Sequence, residues 1–149
     1  MKIEFMREAL DEAKKAFNKE EVPIGAVITK DNDLISRGHN LKETLGDPTA
    51  HAEMIAIRRA AKVLGGWRLT GCHLYVTIEP CVMCSGAIVM SRLDELIIGS
   101  MDAKGGATGS LYNIVEDERL NHQTKVITNV LEDECSQIMK RFFKKLRKR

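Results

Sequence analysis

Cys81 and Cys84 lie three residues apart, directly after a proline, in the stretch TIEPCVMC from Thr77 to Cys84. Residues at this spacing share one face of a helix, so two thiolates could reach one metal ion. The strand-like run HLYVTIE precedes them and places both at the opening of a helix, where the positive end of the helix dipole favours thiolate over thiol. Thirty residues upstream of Cys81, His51 and Glu53 occur in the triplet His-Ala-Glu, also at the start of a helical segment. Two helix N-termini that converge would offer His51, Cys81 and Cys84 as three ligands. The fourth tetrahedral position would stay open for water, which is the pattern of a catalytic zinc. Zinc lowers the pKa of such a water to about 7, and Glu53 beside it would serve as general base. Residues two apart on a regular helix point in nearly opposite directions. The pairing of His51 with Glu53 therefore requires His51 at the helix entry.

Two other uses of the cysteines compete with this one. A Cys-x-x-Cys pair beside a βαβ unit can be a dithiol redox couple, but that leaves His51 and Glu53 without a role. A structural zinc site needs a fourth ligand. His39, His73, His122, Cys72 and Cys135 are available, none in a matching short-spaced pair. Cys72 and Cys135 read as small buried apolar residues, the usual fate of a free cysteine.

The elements that must position these residues follow from hydrophobic period and turn signals. Met6, Leu10, Ala13 and Phe17 fall at helical spacing within Ile3–Lys19. Val22–Thr29 reads as a buried strand, KDNDL as a turn, and Leu34–Asn40 as the return strand of a hairpin. A polar loop follows. The run AHAEMIAIRRAAKVLG predicts a strong helix, with Asp47 or Thr49 as N-cap and Gly65 as its stop. A strand over 73–79, a short helix over CVMCSGAIVMSR and a strand over 95–100 come next. A glycine-rich loop, MDAKGGATGS, a short strand over KVITNV and a C-terminal helix complete the order. The strands at 73–79 and 95–99 are separated by a helix, so they should run parallel. One α/β domain spanning residues 1–149, with helices on the faces of a mixed sheet, is the expected architecture.

Composition places few limits on this. The chain has 149 residues, 44% hydrophobic and 30% charged, which is ordinary for a soluble domain. No apolar run approaches a membrane span, and the N-terminus lacks a signal-peptide core. A cytoplasmic setting is the expectation. Charge is more informative. The last ten residues, KRFFKKLRKR, hold seven basic residues and no acid, whereas the remaining 139 hold 16 basic and 21 acidic residues, a net charge of −5. Such asymmetry suits a polyanionic partner. Cations at a helix C-terminus also stabilise the dipole by about 0.3–1 kcal/mol each, so both readings stand.

The triplet HAE followed by PCVMC is the H-x-E…P-C-x-x-C signature of the zinc nucleobase deaminases, the cytidine and deoxycytidylate deaminase superfamily. Further segments, EVPIGAVI, RGHN, DPTAHAEMIAIRRAAK, WRLTG, LYVTIEPCVMCSGAIVMSR, DAKGGATGSL and NHQ, resemble the bacterial tRNA-specific adenosine deaminases over nearly the whole chain. The resemblance implies a three-layer αβα fold with a central five-stranded mixed sheet. It implies one zinc ion per subunit on His51, Cys81 and Cys84, with Glu53 as proton shuttle. It implies substrate contacts from Asn40, the Ala52 backbone amide, the apolar wall Val22, Pro23 and Ile24, and Asp102 near a neighbouring ribose. A strand-end turn for Asn40 and a loop cap for Asp102 are the plainer alternatives. The implied reaction is hydrolytic deamination of the wobble adenosine of a tRNA anticodon to inosine, with release of ammonia. The arginine tRNA with an ACG anticodon is the implied substrate and a homodimer the implied assembly. In that setting Lys144, Lys145, Arg147 and Lys148 would meet tRNA phosphates, and Phe142 or Phe143 would pack the helix or stack on a base. A guanine- or cytosine-type deaminase with the same metal site remains open, as does a non-catalytic zinc module that binds RNA through its tail.

Overall fold

The three central strands are buried on both faces, and side chains sent alternately to those faces build the layers. The structure, a computed structural model, describes residues 2–148, so Arg149 of the basic run lies outside the described residues. Its elements are α1 (Lys2–Asn18), β1 (Gly25–Lys30), β2 (Asp33–His39), α2 (Lys42–Leu45), α3 (Ala52–Leu64), β3 (Cys72–Ile78), α4 (Val82–Met90), β4 (Glu95–Ser100), β5 (Lys125–Ile127) and α5 (Glu132–Arg147). Side chains alternate across a strand. Ala26, Ile28, Leu74, Val76, Leu96 and Ile98 accordingly pack on one face with residues of α3 and α4. Val27, Tyr75 and Ile97 pack on the other with residues of α1 and α5. Two apolar layers of helix thus cover one sheet, the three-layer αβα arrangement. Leu74, Leu96, Ile97 and Ile98 are fully buried, each contributing about 1.5–3 kcal/mol relative to exposure. Cys72 and Cys135 are buried in these cores as free thiols.

The five strands stand in the order β2-β1-β3-β4-β5. β1 pairs antiparallel with β2 and with β3, whereas β3–β4 and β4–β5 are parallel. Register gathers distant segments at one edge of the sheet. Gly25 opposes His39, and Ala26 opposes Val76. The residues before β1, those after β2 and those after β3 therefore emerge side by side. α3 reaches this edge because it lies close on β2: a Cβ at Gly38 would stand 2.6 Å from the Ala52 carbonyl oxygen.

Several boundaries depart from the sequence reading. β1 begins at Gly25 rather than Val22, because the Ile24 N–H turns back to the Val22 carbonyl at 2.8 Å. Pro23, with its fixed φ, sits at the centre of that tight turn. The polar loop after β2 contains the short helix α2. The buried Glu21 carboxylate caps it, accepting from the Glu43 and Thr44 N–H groups at 3.0 and 2.5 Å. The N-cap of α3 is His51, not Asp47 or Thr49. Asp47 instead accepts from the Thr49 N–H and hydroxyl, each at 2.8 Å, and shapes the turn before the helix. β5 stops at Ile127, short of the expected Val130, where Asn129 takes a left-handed φ of 66°.

Candidate active site

His51 sits at the entry of α3 in extended conformation, φ −79° and ψ 153°, without capping the helix. Its ring is turned instead to the cysteines. Nδ1 lies 3.6 Å from the sulfur of Cys81 and 3.6 Å from that of Cys84. Cys81 is the N-cap of α4, again extended, and Cys84 is buried one turn on. The three donor atoms lie within 4.8 Å of one another, and among the described residues they are the one His/Cys/Asp/Glu group arranged to hold a metal ion. A tetrahedral zinc with bonds of about 2.3 Å to sulfur and about 2.0–2.1 Å to nitrogen separates those donors by about 3.6 Å. The donor set and its spacing therefore fit zinc.

Electrostatics divide the two cysteines, with one proton shared between them. The hydrogen bond from the Cys84 thiol, aided by His51, pulls Cys81 down to about 3, so Cys81 is a thiolate at neutral pH. The same shared proton, together with burial, pushes Cys84 up. The hydrogen bond with Cys81 raises His51 despite its partial burial. The N-termini of α3 and α4 both point their positive dipole ends here. Glu53, in the first turn of α3, is only 4% exposed, and burial pushes its carboxyl up to about 7. A cation at the three donors would favour its charged form.

Beside these groups opens a pocket of about 180 Å³, lined by His51, Ala52, Glu53 and Cys81 together with Val22, Ile24, Asn40 and Asp102. Its size suits one heterocycle rather than a length of strand. Pro23 is buried at its turn and does not line the pocket, so the apolar wall is Val22 and Ile24. Asn40 is 6% exposed. Its amide donates to the Val22 carbonyl at 3.3 Å and accepts from the Lys42 N–H at 3.1 Å. The turn reading of Asn40 is thus realised, and one N–H and one lone pair remain for a ligand. Asp102 likewise closes its own loop, accepting from the Lys104 and Gly105 N–H groups at 3.1 and 3.3 Å, while facing the pocket. Ala52 is buried at the first position of α3, where helical N–H groups lack internal partners.

Three lining residues escaped the sequence reading: Lys42, Ile78 and Glu79. Lys42 follows Asn40 by two residues, in the loop where α2 was not foreseen. Glu79 read only as a strand end, and its burial shows only in the fold. The Glu79 carboxylate accepts from the backbone of Asp102, Thr108 and Ser110 at 2.9, 3.1 and 2.9 Å, and from the Ser110 hydroxyl. These bonds outweigh its burial and hold it below the usual carboxylate range.

The basic tail forms the end of α5, with Lys144, Lys145, Arg147 and Lys148 exposed. Phe142 is buried, edge-on to Phe17 at 5.9 Å between ring centroids. Lys145 lies 5.4 Å above the Phe17 ring, so part of its environment is protein. Phe143 and Arg147 line a groove of about 820 Å³ with Lys140, Lys104 and Asp102. Through Asp102 and Ile78 this groove adjoins the smaller pocket.

Known proteins are similar to this chain over nearly its whole length. The family model of MafB19-like deaminases matches residues 2–147. The tRNA-specific adenosine deaminase of Bacillus subtilis (strain 168) is 52% identical over 145 residues, covering 97% of this chain and 90% of that protein. The tRNA-specific adenosine deaminase of Aquifex aeolicus (strain VF5) is 50% identical over 143 residues, 96% of this chain and 94% of that protein. A solved structure of a tRNA deaminase that performs A-to-I editing at the wobble position of transfer RNA superposes with a TM-score of 0.87 at 43% identity. It covers 91% of this chain and 98% of its own. Half of all residues shared across nearly the full length, on the same three-layer scaffold, is common descent rather than a borrowed motif, and the chain belongs to the tRNA-specific adenosine deaminases.

Proposed function

We propose that this protein hydrolytically deaminates the wobble adenosine of a tRNA anticodon to inosine, releasing ammonia. The observation that carries this reading is the meeting of His51, Cys81 and Cys84 within 4.8 Å, beside the buried carboxylate of Glu53. The three residues hold a divalent cation, and zinc suits them best. When bound, zinc activates water as a nucleophile near neutral pH. Every other role falls to the chain itself. Glu53 takes a proton from the attacking water and delivers it to N1 of the adenine ring. It then transfers the second proton to the amino group at C6, which leaves as ammonia, so water and adenine become hypoxanthine and ammonia with nothing left over. The spare N–H and lone pair of Asn40, with the Ala52 N–H, orient the base edge. Val22 and Ile24 cover its faces and exclude bulk water, and Asp102 faces the adjoining sugar.

The pocket admits one base, so the target nucleotide must leave its stack, which is least costly in a single-stranded loop. Lys144, Arg147 and Lys148 contact phosphates of the tRNA, with Lys145 shared between RNA and Phe17. The arginine tRNA with an ACG anticodon is the proposed substrate. Exposed apolar side chains such as Val82 and Met90 of α4 support a homodimer. Among the described residues no helix is long and apolar enough to cross a membrane, which suits an enzyme working on tRNA in the cytoplasm.

The deciding experiment incubates purified protein with that tRNA and, separately, with free guanine, cytosine and cytidine, alongside metal analysis of the same sample. Inosine at the wobble position with about one zinc per chain is the expected result. Turnover of a free base with none on tRNA would replace this reading by a free-base deaminase. Metal and tRNA binding without turnover of any substrate would make the chain a binding module.

A further inference from the structure

We infer that Glu79 is a positioning residue for this reaction: its buried carboxylate ties the 101–110 segment to the end of β3 and so presents Asp102 to the base pocket. The inference rests on the proposed deamination, since it concerns how Asp102 meets that substrate.

The segment has no regular helix or strand between β4 and the bridge at Thr108–Asn113. Its shape must come from elsewhere. Glu79 supplies it at two places. One carboxylate oxygen accepts from the Asp102 N–H at 2.9 Å and from the Ser110 hydroxyl. The other accepts from the Thr108 and Ser110 N–H groups at 3.1 and 2.9 Å. The near and far ends of the segment are thereby fastened to a single side chain. Between them the chain folds over that side chain. A Cβ at Gly106 would stand 2.2 Å from the Glu79 carboxyl carbon, so only glycine lets the backbone pass. The neighbouring Ala107 N–H donates to the Pro80 carbonyl at 2.8 Å. The fastening is therefore continuous with the turn that carries Cys81.

Glu79 also lines the base pocket, so direct contact with substrate is the rival explanation. Hydrogen-bond capacity argues against it. A carboxylate has about four acceptor sites, and four donors from the segment already occupy them. Glu79 has no remaining acceptor to offer a base or sugar. What it delivers to the pocket is Asp102, whose N–H it holds while the Asp102 carboxylate braces its own turn at Lys104 and Gly105.

A double-mutant cycle tests this on tRNA deamination. Glu79→Gln turns one acceptor oxygen into a donor that faces the segment's own donors. It should lower kcat/KM by about 10- to 100-fold, the scale of a misplaced contact group. Asp102→Ala should lower it comparably. If Glu79 acts through Asp102, the double variant is no worse than the weaker of the two single variants, with metal content unchanged throughout. A double variant that falls by the product of the two single losses overturns the inference, because Glu79 then acts on its own. Wild-type kcat/KM in Asp102→Ala also overturns it while leaving the deaminase reading intact. A wild-type enzyme inactive on tRNA would instead remove that reading, and with it this inference. Should Glu79→Gln fail to fold, Ser110→Ala replaces it in the cycle. That variant keeps the carboxylate and all three amide bonds, and the loss expected is about two- to tenfold. Unchanged kcat/KM in Ser110→Ala then counts against the inference.

Discussion

Replacing Glu53 by glutamine should stabilise the metal-free protein at alkaline pH while removing the chemistry. Glu53 is 4% exposed and burial pushes its carboxyl from an ordinary 4.5 up to about 7. Between those values the folded state keeps a proton that the unfolded chain releases. Stability therefore falls as pH rises from 4.5 to about 7, and is level above it. A rise of that size corresponds to about 3 kcal/mol lost by pH 8. Glutamine has the same shape and no charge, so Glu53→Gln escapes the loss. Urea unfolding of chelator-treated, reduced protein should show the variant more stable by about 3 kcal/mol at pH 8. The advantage should shrink at pH 5, where the wild-type carboxyl is mostly protonated. Zinc should reverse the order or erase it, since a cation compensates the buried carboxylate. Turnover should meanwhile drop by about 10²–10⁴, the range of a lost acid–base group, with zinc retained. Equal stability of the two apoproteins at pH 8, or an advantage independent of pH, would refute the account of Glu53 as a carboxylate held at a desolvation cost.

Four further outcomes are expected. Cys84→Ser should lose stoichiometric metal and all activity, read by metal analysis of the purified protein, because a serine hydroxyl does not replace a thiolate ligand. Removing residues 144–149 should weaken tRNA binding and flatten its salt dependence, with the log–log slope reduced by about 0.7 for each phosphate no longer neutralised; an unchanged slope would leave the tail without a role in binding. Phe142→Ala should destabilise the fold by about 3–5 kcal/mol in denaturant titrations, since the ring is buried against Phe17. Phe143→Ala, 38% exposed, should have a much smaller effect on stability and show any deficit in tRNA binding.

The order and type of the long elements were legible because each carries its own period and stop signal, as α3 does with its apolar spacing and Gly65. That His51, Cys81 and Cys84 come together was legible for a similar reason: a three-residue spacing is local, and pairing with Glu53 requires His51 at the helix entry. What escaped depends on partners far along the chain. The helix α2 is capped by Glu21, about twenty residues upstream, so no local pattern announced it. Asp47 and Thr49 are good capping residues that found each other first, leaving the N-cap to a histidine that does not cap. Pro23 looked like pocket wall beside Val22 and Ile24, yet the turn it enforces buries it. Lys42 and Glu79 reach the pocket only through the register of β1, β2 and β3, which no linear spacing encodes.

The stretch between β4 and β5 has a consequence for how such a scaffold can diversify. The two strands pair over three residues on each side, and the intervening excursion covers Met101 to Thr124. The three residues that could hold a metal lie outside it, at the N-terminal ends of α3 and α4. Changes within the excursion can therefore alter the Asp102 edge of the pocket without rebuilding the three-donor cluster, provided the few tethers to Glu79 survive. Asp102 is the one lining residue of the base pocket that the excursion carries, so exchanging the excursion between related scaffolds varies a single edge of the pocket and leaves its apolar wall in place.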